Sequence, residues 1–93
     1  MDVKQAVAHA KGYIVELFEA EGPTNIGLEE VELDNKNNEW IVTIGFSRPW
    51  DEPRTAFAAM AAASSGPKRS YKTVRISNRN DQVLSIKTRE LKN

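Results

Sequence analysis

Two hydrophobic periods divide this chain into a helix, two hairpins and one long connection. The first period covers residues 2–20. Val3, Val7, Ala10, Ile14 and Leu17 recur at spacings of 4, 3, 4 and 3, and Ala6 and Phe18 widen the stripe. That is the apolar face of an amphipathic helix. Asp2 suits its start, as a cap and as a negative charge at the positive end of the peptide dipoles. Gly22-Pro23 ends it, because proline cannot continue the ladder and glycine permits the turn. Such a helix has one face to bury and needs a sheet to bury it on.

The period then falls to two. Val31 and Leu33 alternate with Glu30, Glu32 and Asp34, as in a half-buried strand. Ile26 and Leu28 are out of phase with them, which predicts a bulge near Glu29-Glu30 or a strand that starts only at Glu29. Asn35 to Asn38 form a turn cluster, and Trp40, Val42, Ile44 and Phe46 share one face of the next strand. Pairing Asp34 with Glu39 sets Leu33 opposite Trp40 and Val31 opposite Val42, so both apolar sets fall on one side. A slip of one residue would destroy that match. Further on, a three-residue loop, Arg79 to Asp81, pairs Ile76 with Leu84 and Val74 with Ile86. The other sheet face then carries Glu30, Glu32, Ile41, Thr43, Tyr71, Thr73, Arg75, Val83, Ser85 and Lys87, either as solvated surface or as a dimer or partner contact. The predicted fold is one α+β domain over residues 1–93. Its N-terminal helix packs on one face of a four-stranded antiparallel sheet built from two hairpins.

The connection over residues 47–69 is far longer than two neighbouring strands require. Asp51, Glu52 and Pro53 fit a first helical turn, and six of the nine residues from Thr55 to Ala63 are alanine. Ser64-Ser65-Gly66-Pro67 ends the run. These signals predict a short Ala-rich helix from about Glu52 to Ser64. A helix of that length is marginal alone in water, so it must dock. Phe57, Met60 and Ala61 give it a small apolar face, with Arg48 and Trp50 at its entry. Either that face covers a sheet edge, or Arg48, Trp50, Phe57 and Met60 contact another protein or a second copy of the chain.

The run "AVAHAKGYIVELFEAEG…IGLEEVELDNKNNEWIVTIGF" resembles the helix-plus-hairpin unit of PepSY-like domains, small α+β modules of cystatin-like shape. The resemblance covers roughly the first half of the chain. It implies a helix lying across an antiparallel sheet and designates no functional residue. PepSY-like domains are typically exported or membrane-associated, whereas this N-terminus is charged from its second residue and shows no signal-peptide run.

Composition narrows the chemistry. Among 93 residues there is no cysteine, which excludes disulfides and thiolate metal sites. No apolar run approaches the roughly 18 residues of a membrane span, so no membrane contact is expected and the simplest address is the cytoplasm. The net charge is zero, yet residues 1–67 hold five Lys/Arg and eleven Asp/Glu, and residues 68–93 eight and two. The two segments thus carry −6 and +6. They either neutralise each other as neighbours or mark a nucleic-acid face. His9 falls on the solvated side of the helix and no serine has the setting of a nucleophile elbow, so no catalytic residue is expected. Glu30, Glu32 and Asp34 are spread along a strand. They read as an acidic stripe facing basic residues, since a cation needs converging ligands. The glycines form no phosphate loop, and no cofactor or metal is expected. The expected function is a small, non-enzymatic protein-interaction or regulatory module, acting on a protein partner or by self-association as a homodimer. The alternatives are weak nucleic-acid binding through Lys68, Arg69, Lys72, Arg75, Lys87 and Arg89, and a small-ligand or peptide site between helix and sheet.

Overall fold

A computed structural model describes residues 1–49 and 69–90. The predicted Ala-rich helix lies outside the described residues. Helix α1, Val3–Leu17, opens with a reciprocal cap. The Asp2 carboxylate accepts from the Gln5 N–H at 2.8 Å, and the Gln5 side-chain oxygen accepts from the Asp2 N–H at 2.8 Å. After Phe18 the chain tightens into a single 3-10 turn, Glu19–Glu21, and leaves it through Gly22 at φ +60°, a left-handed conformation that glycine adopts without strain.

Four strands follow: β1 (Thr24–Asp34), β2 (Glu39–Ser47), β3 (Ser70–Ser77) and β4 (Val83–Thr88). They form one antiparallel sheet in the order β1-β2-β3-β4, with α1 on one face. The first hairpin has the predicted register, with Asp34 opposite Glu39, Leu33 opposite Trp40 and Val31 opposite Val42. The pairing shifts between Leu28 and Glu30, so the bulge falls where the sequence phase breaks. It returns Leu28 to the helix side, opposite Ile44.

The second hairpin differs from expectation near its turn. Val74 pairs with Ile86 as predicted, but Ile76 pairs with Val83 and not with Leu84. The Asp81 N–H donates to the Ser77 carbonyl at 2.9 Å and the Ser77 N–H to the Gln82 carbonyl at 2.8 Å, so the loop is one residue longer than predicted. Asp81 takes the left-handed conformation (φ +61°) that closes it. A register shift beyond Ile76 then leaves Leu84 half exposed and puts Val83 against the core.

The core is Ala6, Ala10 and Ile14 of α1 against Val42, Ile44 and Phe46 of β2 and Val74 and Ile76 of β3, all fully buried. The two alanines let the helix backbone approach the sheet closely. Phe18 closes the lower end on Phe46, with ring centroids 5.2 Å apart. The predicted stripe is buried along its middle and not at its ends. Val3 and Leu17, in the first and last turns, remain 44% and 50% exposed.

Candidate interaction surface

The open face of the sheet, away from α1, is a polar network. Arg89 projects from the end of β4 and bonds Thr43 of β2 and Glu30 of β1, each at 3.1 Å. Thr43 is buried beneath it and lies 3.3 Å from Thr73. Arg75 pairs with Glu39 at 3.1 Å and approaches Asp34 at 3.9 Å. Arg69 bonds the Asn25 carbonyl at 2.8 Å and lies 3.8 Å from Glu29. Gly45 makes that last approach possible, because a Cβ there would fall 2.8 Å from Glu29 Oε1 and 2.9 Å from Arg69 Nη2. The acidic first half and the basic last quarter are therefore neighbours. Glu30 and Asp34 of the expected acidic stripe face arginines, as does Glu29, whereas Glu32 is exposed to solvent.

Asp34 also organises the turn that follows it. Its carboxylate accepts from the N–H groups of Lys36 and Asn37 at 3.0 and 3.3 Å and from the Asn37 side-chain amide at 2.9 Å. The Asn37 amide, above all, holds the Asp34 carboxyl below the ordinary aspartate range. The two turns of the sheet are tied together. Asn78 donates from its backbone to the Asn38 carbonyl at 3.0 Å, and its side-chain oxygen accepts from the Trp40 indole at 2.9 Å.

Of the predicted contact residues, Trp50, Phe57 and Met60 lie outside the described residues. Arg48 is at the foot of β2, half buried. It donates to Glu21 at 2.7 Å and to Ser70 at 2.6 Å, and its guanidinium lies 5.6 Å from the centre of the Phe46 ring. It joins the turn after α1 to the start of β3. Beside it, a depression of about 540 Å³ is lined by Arg48, Arg69, Lys72 and Arg89 together with Ser70, Tyr71, Thr88 and Glu90. His9 is exposed on α1. Among the described residues no group of His, Asp and Glu is placed to hold a metal ion, and no helix is long and apolar enough to cross a membrane.

Exposed apolar surface gathers elsewhere. Among the described residues, core side chains fill the space directly between α1 and the sheet. The flank of α1 beside β1 is open, and there Val3, Val7 and Ala8 of the helix and Leu28 of the strand line a trough of about 440 Å³. Lys4 and Lys11 complete its lining. Leu28 is 42% exposed although its register places it on the helix side. β1 is an edge of the sheet, and among the described residues no strand pairs with its outer side. Sequence reasoning did not single out this trough. Its signal is present in the spacing: Val3 and Val7 lie one turn apart, and Lys4 and Lys11 two turns apart beside them. Which flank of a helix overhangs a sheet edge is decided only by where the helix sits, and α1 lies chiefly over β1 and β2.

No family model matches the chain, and no curated protein or solved structure matches it. These comparisons do not bear on the PepSY-like resemblance.

Proposed function

We propose that this protein is a small, non-enzymatic interaction module that meets a protein partner, or a second copy of itself, with the side formed by α1 and β1. One observation carries the reading. Apolar side chains converge in the trough between Val3, Val7 and Leu28, whereas the arginines of the open face, Arg75 and Arg89, are engaged with carboxylates. A contiguous apolar trough rimmed by charge is what an interaction surface offers. Trp50, Phe57 and Met60 are candidates for a second part of the same contact.

The test is sedimentation over a wide concentration range together with quantitative affinity capture. Leu28→Asp should weaken association while leaving the circular dichroism spectrum and melting curve intact, because Leu28 is 42% exposed. Trp50→Ala and Phe57→Ala test the second part in the same way. A constant monomer mass, with nothing captured by the wild-type chain, defeats the proposal. The competing reading is nucleic-acid contact through the basic last quarter. It has the basic depression around Lys72 in its favour. Against it, Arg69, Arg75 and Arg89 already face carboxylates.

A further inference from the structure

We infer that the outer edge of β1 accepts an extended segment of a partner protein as a fifth strand, selected by opposite charge preferences on its two faces. The inference rests on the interaction reading above and names the chemistry of the partner.

Three features of the α1–β1 side combine. First, β1 is an edge strand of eleven residues, and an edge strand presents backbone N–H and C=O groups to any strand laid beside it. Second, the trough lies between that edge and the helix. Side chains of an added strand alternate between faces, so every second one would enter the trough against Val3, Val7 and Leu28. Third, the charges on the two sides of the edge are opposite. On the helix side stand Lys4 and Lys11. On the open side stands Glu32, exposed, with Glu30 beside it, exposed but shared with Arg89 at 3.1 Å.

The preferred segment therefore places apolar or acidic residues toward α1 and basic or neutral residues toward the open face. The same charges act against β1 of a second copy. Pairing β1 with itself antiparallel about Val31 would set Glu30 opposite Glu32 in both directions, and like charges directly opposite are destabilising. The bulge at Glu29 confines a new ladder to the stretches on either side of it.

Capped octapeptides test this with the whole chain. The matched probe is Thr-Leu-Lys-Val-Lys-Leu-Thr-Asp, and the charge-reversed probe is Thr-Leu-Glu-Val-Glu-Leu-Thr-Lys. A third has the matched sequence with alternate backbone nitrogens methylated. Backbone amide shifts, followed by NMR during titration, give both affinity and location. The matched peptide should bind at least tenfold more tightly than the reversed one, with the largest shifts between Gly27 and Leu33. Methylation should abolish binding. The doubly substituted K4E/K11E protein, checked for an unchanged melting curve, should lose most of the discrimination. Equal binding of the matched and reversed peptides, undiminished binding of the methylated one, or shifts centred away from β1 would overturn the inference. So would concentration-dependent self-association competing for the same β1 amides, which would assign the edge to a second copy. If the peptides fail while Leu28→Asp still weakens association, strand addition falls and the interaction reading stands.

Discussion

Asp34 shows how one side chain fixes the first hairpin. Its carboxylate gathers the N–H groups of Lys36 and Asn37 and the Asn37 side-chain amide, and Arg75 lies 3.9 Å away. The Asn37 amide has the largest effect in lowering its pKa, followed by the Asn37 N–H, and partial loss of water opposes them. The folded chain thus holds this proton less tightly than the unfolded chain. By linkage, the resulting stability is complete above the unfolded aspartate value of about 3.9 and is lost as pH falls through the lower folded value. Asn37→Ala should therefore raise the Asp34 pKa toward the ordinary value and flatten the acid limb of stability below about pH 4. A carboxyl-carbon NMR titration of both proteins checks the first, and urea melts at several acid pH values check the second. The Asp34–Glu39 register was legible because the apolar phases of two strands had to agree across a turn of known length. The role of Asn37 was not, since four neighbouring polar residues give no indication of which one turns back onto the carboxylate.

At the scale of elements, the two hairpins and the helix differ in how far their sequences determine them. The break at Glu29 could be read directly, because a change of apolar parity requires either a bulge or a later strand start, and a strand that begins at Thr24 leaves the bulge. The second hairpin could be read only in part. Val74–Ile86 follows from parity, but the turn residues did not disclose that Asp81 would adopt φ +61° and lengthen the loop. That change exchanges the roles of Val83 and Leu84. The apolar stripe of α1 was legible, but which of its members would lie beyond the sheet was not, because that depends on where the helix settles over β1 and β2. Urea denaturation distinguishes the middle of the stripe from its ends. Ile14, fully buried at the centre, should cost about 2–5 kcal/mol when replaced by alanine. Leu17, 50% exposed, should stay within about 0.5 kcal/mol on the same change. Asp2→Ala removes half of the reciprocal cap and should cost about 1 kcal/mol. For the second hairpin, Val83→Ala should destabilise clearly more than Leu84→Ala.

The whole molecule is organised by a division of charge that the fold then closes. The acidic residues belong mainly to the first two-thirds of the chain and the basic ones to the last quarter. The meander carries β3 and β4 beside the acidic hairpin, and Arg69, Arg75 and Arg89 then meet Glu29, Glu39 and Glu30. Each of these pairs is partly exposed, so each adds little to stability, on the order of 1 kcal/mol or less, and the sum should weaken with salt. Their larger effect is on what the surface attracts. A guanidinium already facing a carboxylate gains less from a phosphate, because binding would have to displace or share the resident anion. Wild-type protein should therefore leave the fluorescence anisotropy of a labelled DNA duplex unchanged at about 0.15 M salt, where charges are screened beyond about 8 Å. The triple variant E29Q/E30Q/E39Q removes the three resident anions while keeping their shape. It should bind the duplex at low salt and release it steeply as salt rises, with log K falling by roughly 0.9 per phosphate contact for each unit of log salt. If the wild-type chain binds as tightly as the triple variant, the carboxylates are not neutralising the basic strands. The depression around Lys72 would then be the surface to pursue ahead of the α1–β1 trough.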